Sequence, residues 1–164
     1  EHWRDDWTTP IKVEILDLEK FAGGLTPLKK GGGFQTKSLR LTGKDGNIWK
    51  FRSMSKDPAK VLTEILRKTV VADVFQDQIR SANPLASIVA APIRSGGWIL
   101  QSKTCLVYLS DDSLLGNFRE EFGGLLGMIE IHPDVDEEEG REFEGADKIK
   151  STFNLLDRLA EKRK

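Results

Sequence analysis

One cysteine, two histidines, one tyrosine and two methionines occur in 164 residues, and these shortages close off whole classes of chemistry. A lone Cys105 excludes an internal disulfide and any metal site built from several thiolates. It lies between Thr104 and Leu106 in an apolar run, the setting of an inert buried thiol. His2 and His132 come with no partners at ligand spacing, so neither spells out a metal site. No serine stands at a spacing that would pair it with a histidine base, which leaves hydrolysis without support. Excess positive charge is also missing. With 25 basic and 26 acidic residues the formal net charge is −1, so nucleic acid binding has no electrostatic footing. No run approaches the roughly 18 apolar residues of a membrane-crossing helix, and no secretory leader pattern opens the chain. Direct membrane insertion by this segment is therefore not expected. Because the chain opens without methionine and stops inside a charged helical pattern, it reads as a piece excised from a longer protein, and compartment stays open.

What is present is a composition of 38% apolar and 31% charged residues, that of a folded domain rather than a disordered segment. A chain of about 150 residues buries roughly two-thirds of its unfolded surface, enough for one core. A single domain over 1–164 is expected, with an N-terminal arm at 1–9, a sheet-plus-helix lobe at 10–109 and a helical extension at 110–164. Its centre is the run from Gly31 to Asp57. Three glycines (Gly31, Gly32, Gly33) precede Leu39 and Leu41, which alternate with Arg40 and Thr42; Lys44-Asp45-Gly46-Asn47 supplies turn chemistry; Trp49 and Phe51 then resume a period of two. The pattern predicts a glycine loop, a strand, a tight turn and a second strand.

On either side the signals are weaker. Trp3 and Trp7 share a helical turn and dock the arm on the body. Ile11, Val13 and Ile15 alternate with Lys12 and Glu14 as a half-buried strand, with Leu16 and Leu18 shifting face near a bulge or end. Asp57-Pro58 is a helix entry for the stripes Val61, Leu62, Ile65, Leu66 and Val70, Val71, Val74, Phe75, Gln78, Ile79, Ala82, with a break near 67–69 and an end at Asn83-Pro84. Ser87 to Ile93 is an apolar run, and Trp98–Leu100 with Cys105–Leu109 read as an antiparallel strand pair. Phe118, Phe122, Leu125, Leu126 and Ile129 recur at helical spacing despite Gly123-Gly124. Residues 134–144 are dominated by carboxylates, an exposed loop whose spacing lacks the ordered ligands of a calcium hand. Ile149, Phe153, Leu156 and Leu159 make a final amphipathic helix. The fold expected from this order is α+β: a mostly antiparallel sheet of about five strands, a long helix packed on it, and helices at the carboxyl end.

The same order, with its residues, resembles the small lobe of the protein-kinase-like fold, in its divergent bacterial and phosphatidylinositol-kinase-like branch, over about Ile11 to Leu109. The matching parts are Gly31-Gly32-Gly33, Ser38 to Thr42, Asp45-Gly46, Trp49-Lys50-Phe51-Arg52, Asp57-Pro58 and Val70 to Ala82. The run TKSLRL, DG, FRS, KDP is also similar to a segment of large bacterial envelope proteins that combine a metallophosphoesterase-like module with a surface-antigen-type barrel. That likeness implies a periplasmic setting and other domains of the same polypeptide as partners. In such a lobe glycines let backbone amides approach phosphate, a base on the third strand neutralises it, and a helix carboxylate holds that base. The resemblance implies a ligand site of Gly31, Gly32, Gly33, Lys50 and Arg52, with Asp73, Asp77 or Glu64 as the acidic partner and ATP with magnesium as the nucleotide of an active relative. Two departures stand out. Arg52 replaces the usual lysine, whose geometry it does not share, and Lys50 would crowd the adenine. No catalytic aspartate loop or metal-binding motif of the large lobe occurs in the chain, so no catalytic residue is assigned, and the chain by itself names no cofactor.

Three functions are compatible with this pattern. The first is a non-catalytic or incomplete kinase-like binding or structural module, taking a phosphorylated ligand. The second is the nucleotide-binding half of an ATP-dependent phosphotransferase. The third is a scaffold for protein contacts with no small ligand.

Overall fold

The structure of the protein is a computed structural model that describes residues 3, 5–31, 36–56, 66–96, 102–132 and 152–162. Its strands are β1 (Glu14–Ile15), β2 (Leu25–Lys30), β3 (Thr36–Gly43), β4 (Ile48–Lys56), β5 (Cys105–Leu109) and β6 (Leu125–Ile131). The helices are α1 (Val70–Arg80), α2 (Ala86–Gly96), the single turn α3 (Arg119–Phe122) and α4 (Thr152–Glu161). The class is α+β, with six strands in one mixed sheet ordered β1-β5-β6-β4-β3-β2. Every pairing is antiparallel except β1 with β5, which is parallel over two residues.

The β3–β4 hairpin forms where alternation and turn chemistry agree. Leu39 faces Phe51 and Leu41 faces Trp49 across the ladder, so one face of both strands is apolar. In the turn the Asp45 carboxylate accepts from the Asn47 amide at 3.0 Å and from Trp49 Nε1 at 3.1 Å. The indole so held meets Phe21 edge-on, with ring centroids 4.8 Å apart. Beside this hairpin, Phe51 and Ile129 are directly opposed, and both are fully buried. Leu16, Leu18, Leu115 and Phe122 complete the same core cluster from chain segments outside the sheet. Burying each such side chain is worth about 1.5–3 kcal/mol.

Gly127 on β6 is what lets that core close. A Cβ there would stand 2.5 Å from both Phe51 Cε2 and the Arg52 carbonyl oxygen. The Phe51 ring thus occupies the space a side chain would need.

Several expectations change. The segment with helical spacing from Phe118 to Ile129 is helical only to Phe122; Gly123 is extended at φ −61, ψ 139, and Gly124 donates its amide to Leu109 O at 2.8 Å. From Leu125 the chain becomes β6, the strand between β4 and β5. The glycine pair ends a helix instead of sitting inside one, and a strand with hydrogen-bonding neighbours on both edges outweighs the apolar spacing. The expected strand at Ile11–Ile15 shrinks to Glu14–Ile15, and its inward set is reversed. Ile15 is 67% exposed whereas Leu16 and Leu18 are each 1% exposed. The reason is that Leu16 continues the β5 ladder, its amide donating to Tyr108 O at 2.8 Å, while the chain leaves β1. Ser87 to Ile93 lies within the helix α2, which contains Pro92.

Other expectations are met. The break near 67–69 is a short 3-10 turn at Leu66–Lys68, after which Thr69 caps α1, its hydroxyl accepting from the Val71 amide at 3.3 Å. Cys105–Leu109 is a strand, paired with β6 and β1. The docking of the arm is met only in half: Trp7 Nε1 donates to Ala82 O at 3.0 Å, whereas Trp3, expected to dock beside it, is 43% exposed. The Asp57-Pro58 entry, the 61–65 stripe, Glu64, Trp98–Leu100, His2, Ile149 and the 134–144 loop lie outside the described residues. Among the described residues no helix is long and apolar enough to cross a membrane.

Candidate functional site: a cationic face of the sheet

Because strand side chains alternate, the residues between the core positions share the opposite face. Register brings Arg40, Lys50 and Glu130 into one row across β3, β4 and β6, and Ser38, Arg52 and Met128 into the next. Lys50 and Arg52 thus stand together as their spacing predicts. Arg40 joins them, although in the sequence it is no more than the polar half of an alternation.

The acidic partner of Arg52 comes from the sheet. Its Nη2 lies 3.1 Å from Glu130 Oε1, and the Thr104 hydroxyl donates to Glu130 Oε2 at 3.4 Å. Asp73 and Asp77, expected to fill this role, are exposed on α1. Glu130 is inconspicuous in the sequence because its segment has helical spacing; as a strand, the alternation of Met128 and Glu130 places it beside Arg52.

Among the described residues of β3, β4 and β6 in these two rows, three cations stand against one carboxylate, an electropositive set. Lys50 is held below the ordinary lysine value, first by burial and next by the Arg52 charge; Glu130 pulls the other way and Arg40 adds to the depression. Two donors within this face are buried and have no hydrogen-bond partner among the described residues: Ser38 Oγ and Arg40 Nε. Ser38 as a whole is 5% exposed. Gly31 lies against it, its amide donating to Ser38 O at 2.8 Å. A Cβ at Gly31 would stand 2.5 Å from Ser38 Oγ, so close packing on Ser38 already requires glycine there. Gly32 and Gly33 lie outside the described residues.

Chemically, this arrangement suits an oxyanion. Guanidinium forks and an ammonium neutralise its charge and donate to its oxygens. The donor set fits the phosphate portion of a nucleotide. It does not fit magnesium, which prefers carboxylate and water oxygens. The one carboxylate in these rows among the described residues, Glu130, is already shared by Arg52 and Thr104. Among the described residues no group of three or more His, Cys, Asp or Glu side chains could hold a metal ion.

Comparison of the chain with protein-family models, with curated proteins and with solved structures finds no match.

Proposed function

We propose that this chain is a non-catalytic or incomplete kinase-like binding module of a multidomain bacterial protein, and that it holds a phosphorylated ligand on the face formed by Ser38, Arg40, Lys50 and Arg52. The observation that carries this reading is the gathering of Arg40, Lys50 and Arg52 on one face of the sheet beside the single carboxylate of Glu130, an arrangement that disfavours the charge of Lys50. An oxyanion bound there offsets the mutual repulsion of the three cations. It would compete with Glu130 for Arg52. The order of elements adds support: a glycine-bearing connection, a hairpin closed by Asp45-Gly46, a base on its second strand, helices, then two more strands.

Thermal unfolding with inorganic phosphate, ATP, and ATP with magnesium, in the wild type and in Arg52→Ala and Lys50→Ala, tests this. A ligand at 100 times its Kd stabilises by about 2.7 kcal/mol, an increase in Tm of roughly 5–10 °C for a domain of this size. The wild type is expected to respond to ATP with or without magnesium, and both variants to lose most of the response. A wild type that ignores all three ligands would refute the reading and leave the scaffold role.

A further inference from the structure

On the same side of the sheet, past Met128, a cavity of about 730 Å³ opens beneath the N-terminal arm. Its volume lies within the range of roughly 300–1,000 Å³ found for small-molecule sites. The floor is Met54 and Leu126, the next outward-facing residues along β4 and β6, and Ile79 and Leu85 wall it from the α1–α2 corner. Trp7 also lines it, its indole fixed by the hydrogen bond from Nε1 to Ala82 O.

The polar groups around this apolar hollow are unequal. Thr8 and Thr9 also line it, but both hydroxyls donate to Asp5 O, at 3.1 and 2.8 Å, and so are committed to the backbone. The charged lining residues are Asp5, Asp6 and Lys56, two carboxylates against one ammonium. No side chain among the described residues forms a hydrogen bond or ion pair with either carboxylate.

We infer that the cavity is a binding site for a small molecule with an apolar body and a single cationic head. The body lies on Met54 and Leu126 against the indole. The head sits at Asp5 and Asp6, whose carboxylates favour positive charge. The site is separate from the cationic face and of opposite preference, so it stands or falls independently of the phosphate reading.

The test uses three probes that share a body and differ in the head: 4-phenylbutylamine, 4-phenylbutanol and 4-phenylbutyrate, each titrated calorimetrically into the full chain. The amine is expected to bind at least tenfold more tightly than the butyrate, with the alcohol between them. The double variant Asp5→Asn, Asp6→Asn lies on an exposed turn and keeps the shape; it should bring the amine to the affinity of the alcohol and leave the alcohol unchanged. Leu126→Trp, which fills the floor, should abolish binding of all three. Should that variant fail to fold, the asparagine pair decides alone. Equal affinities for the three heads, no binding of the amine at millimolar concentration, or an amine affinity unmoved by the asparagine pair would each overturn the assignment.

Discussion

Replacing Gly127 with alanine adds one methyl group at the centre of the sheet, and the structure allows its effect to be worked out. The new Cβ would lie 2.5 Å from Phe51 Cε2 and 2.5 Å from the Arg52 carbonyl oxygen, about an ångström inside an ordinary contact. Neither neighbour can retreat easily. Phe51 is fully buried, with Leu39 opposite on one side and Ile129 on the other. The Arg52 carbonyl belongs to the central strand, paired on both edges. Overpacking of a closed core costs about 1–3 kcal/mol, and two obstructions, one of them backbone, put this case near 3. For a domain of this size that is a fall in Tm of roughly 6–12 °C. Urea unfolding, with the m-value checked for change, measures it. Gly96→Ala is the matched control: among the described residues nothing lies within 4 Å of its Cβ, and it closes a helix, so it should be neutral or stabilising by up to about 1 kcal/mol. A loss below about 0.5 kcal/mol for Gly127→Ala would refute the claim that the Phe51 ring excludes a side chain there.

Other perturbations have equally definite outcomes. Asp45→Ala removes the acceptor for the Asn47 amide and for Trp49 Nε1; a loss of about 1 kcal/mol is expected, seen as a lower urea midpoint. Lys50→Met should raise stability at neutral pH. A lysine whose folded pKa is depressed is unfavourable while charged and is relieved as pH rises through that folded value toward the unfolded one; the gap between variant and wild type should therefore narrow between neutral pH and about pH 10. A constant gap would contradict the burial and repulsion assigned to it. Arg119 binds the Asp111 carboxylate at 2.7 and 3.1 Å and holds it below the usual aspartate value, chiefly by hydrogen bonding. The contribution of this pair is present above the unfolded aspartate value and fades as pH falls through the lower folded one. In Arg119→Gln the Asp111 titration followed by carboxyl-carbon NMR should move upward, and an unchanged midpoint would show that the pair does not form in solution.

The functional face is partly legible in the amino-acid sequence. Lys50 and Arg52 share a face because a strand has a period of two, and that follows from Trp49 and Phe51 alone. Their acidic partner is not legible. A carboxylate on a helix after β4 is the local expectation, whereas Glu130 reaches Arg52 from β6. Nothing local in Leu125–Ile131 announces a strand, since its apolar residues suit a helical spacing continued from Phe118 and Phe122. The same blindness hides Ser38 and Arg40 as buried donors, because burial of a polar residue on the outer face depends on what lies over it.

The amino-acid sequence by itself determined the β3–β4 hairpin, its Asp45-Gly46 turn, its apolar and basic faces, and a helical stripe from Val70 that ends before Asn83-Pro84. Those features rest on alternation, capping and turn preference, forces that act over a few neighbouring residues. Tertiary structure alone decided that Leu125–Ile131 is a central strand, that Leu16 and Leu18 rather than Ile11 and Ile15 face the core, and that the arm closes over a cavity. In each case the local pattern permits more than one state, and the choice falls to hydrogen bonds and packing with partners distant in the chain: β4 and β5 for β6, Tyr108 for Leu16, and Ala82 for Trp7.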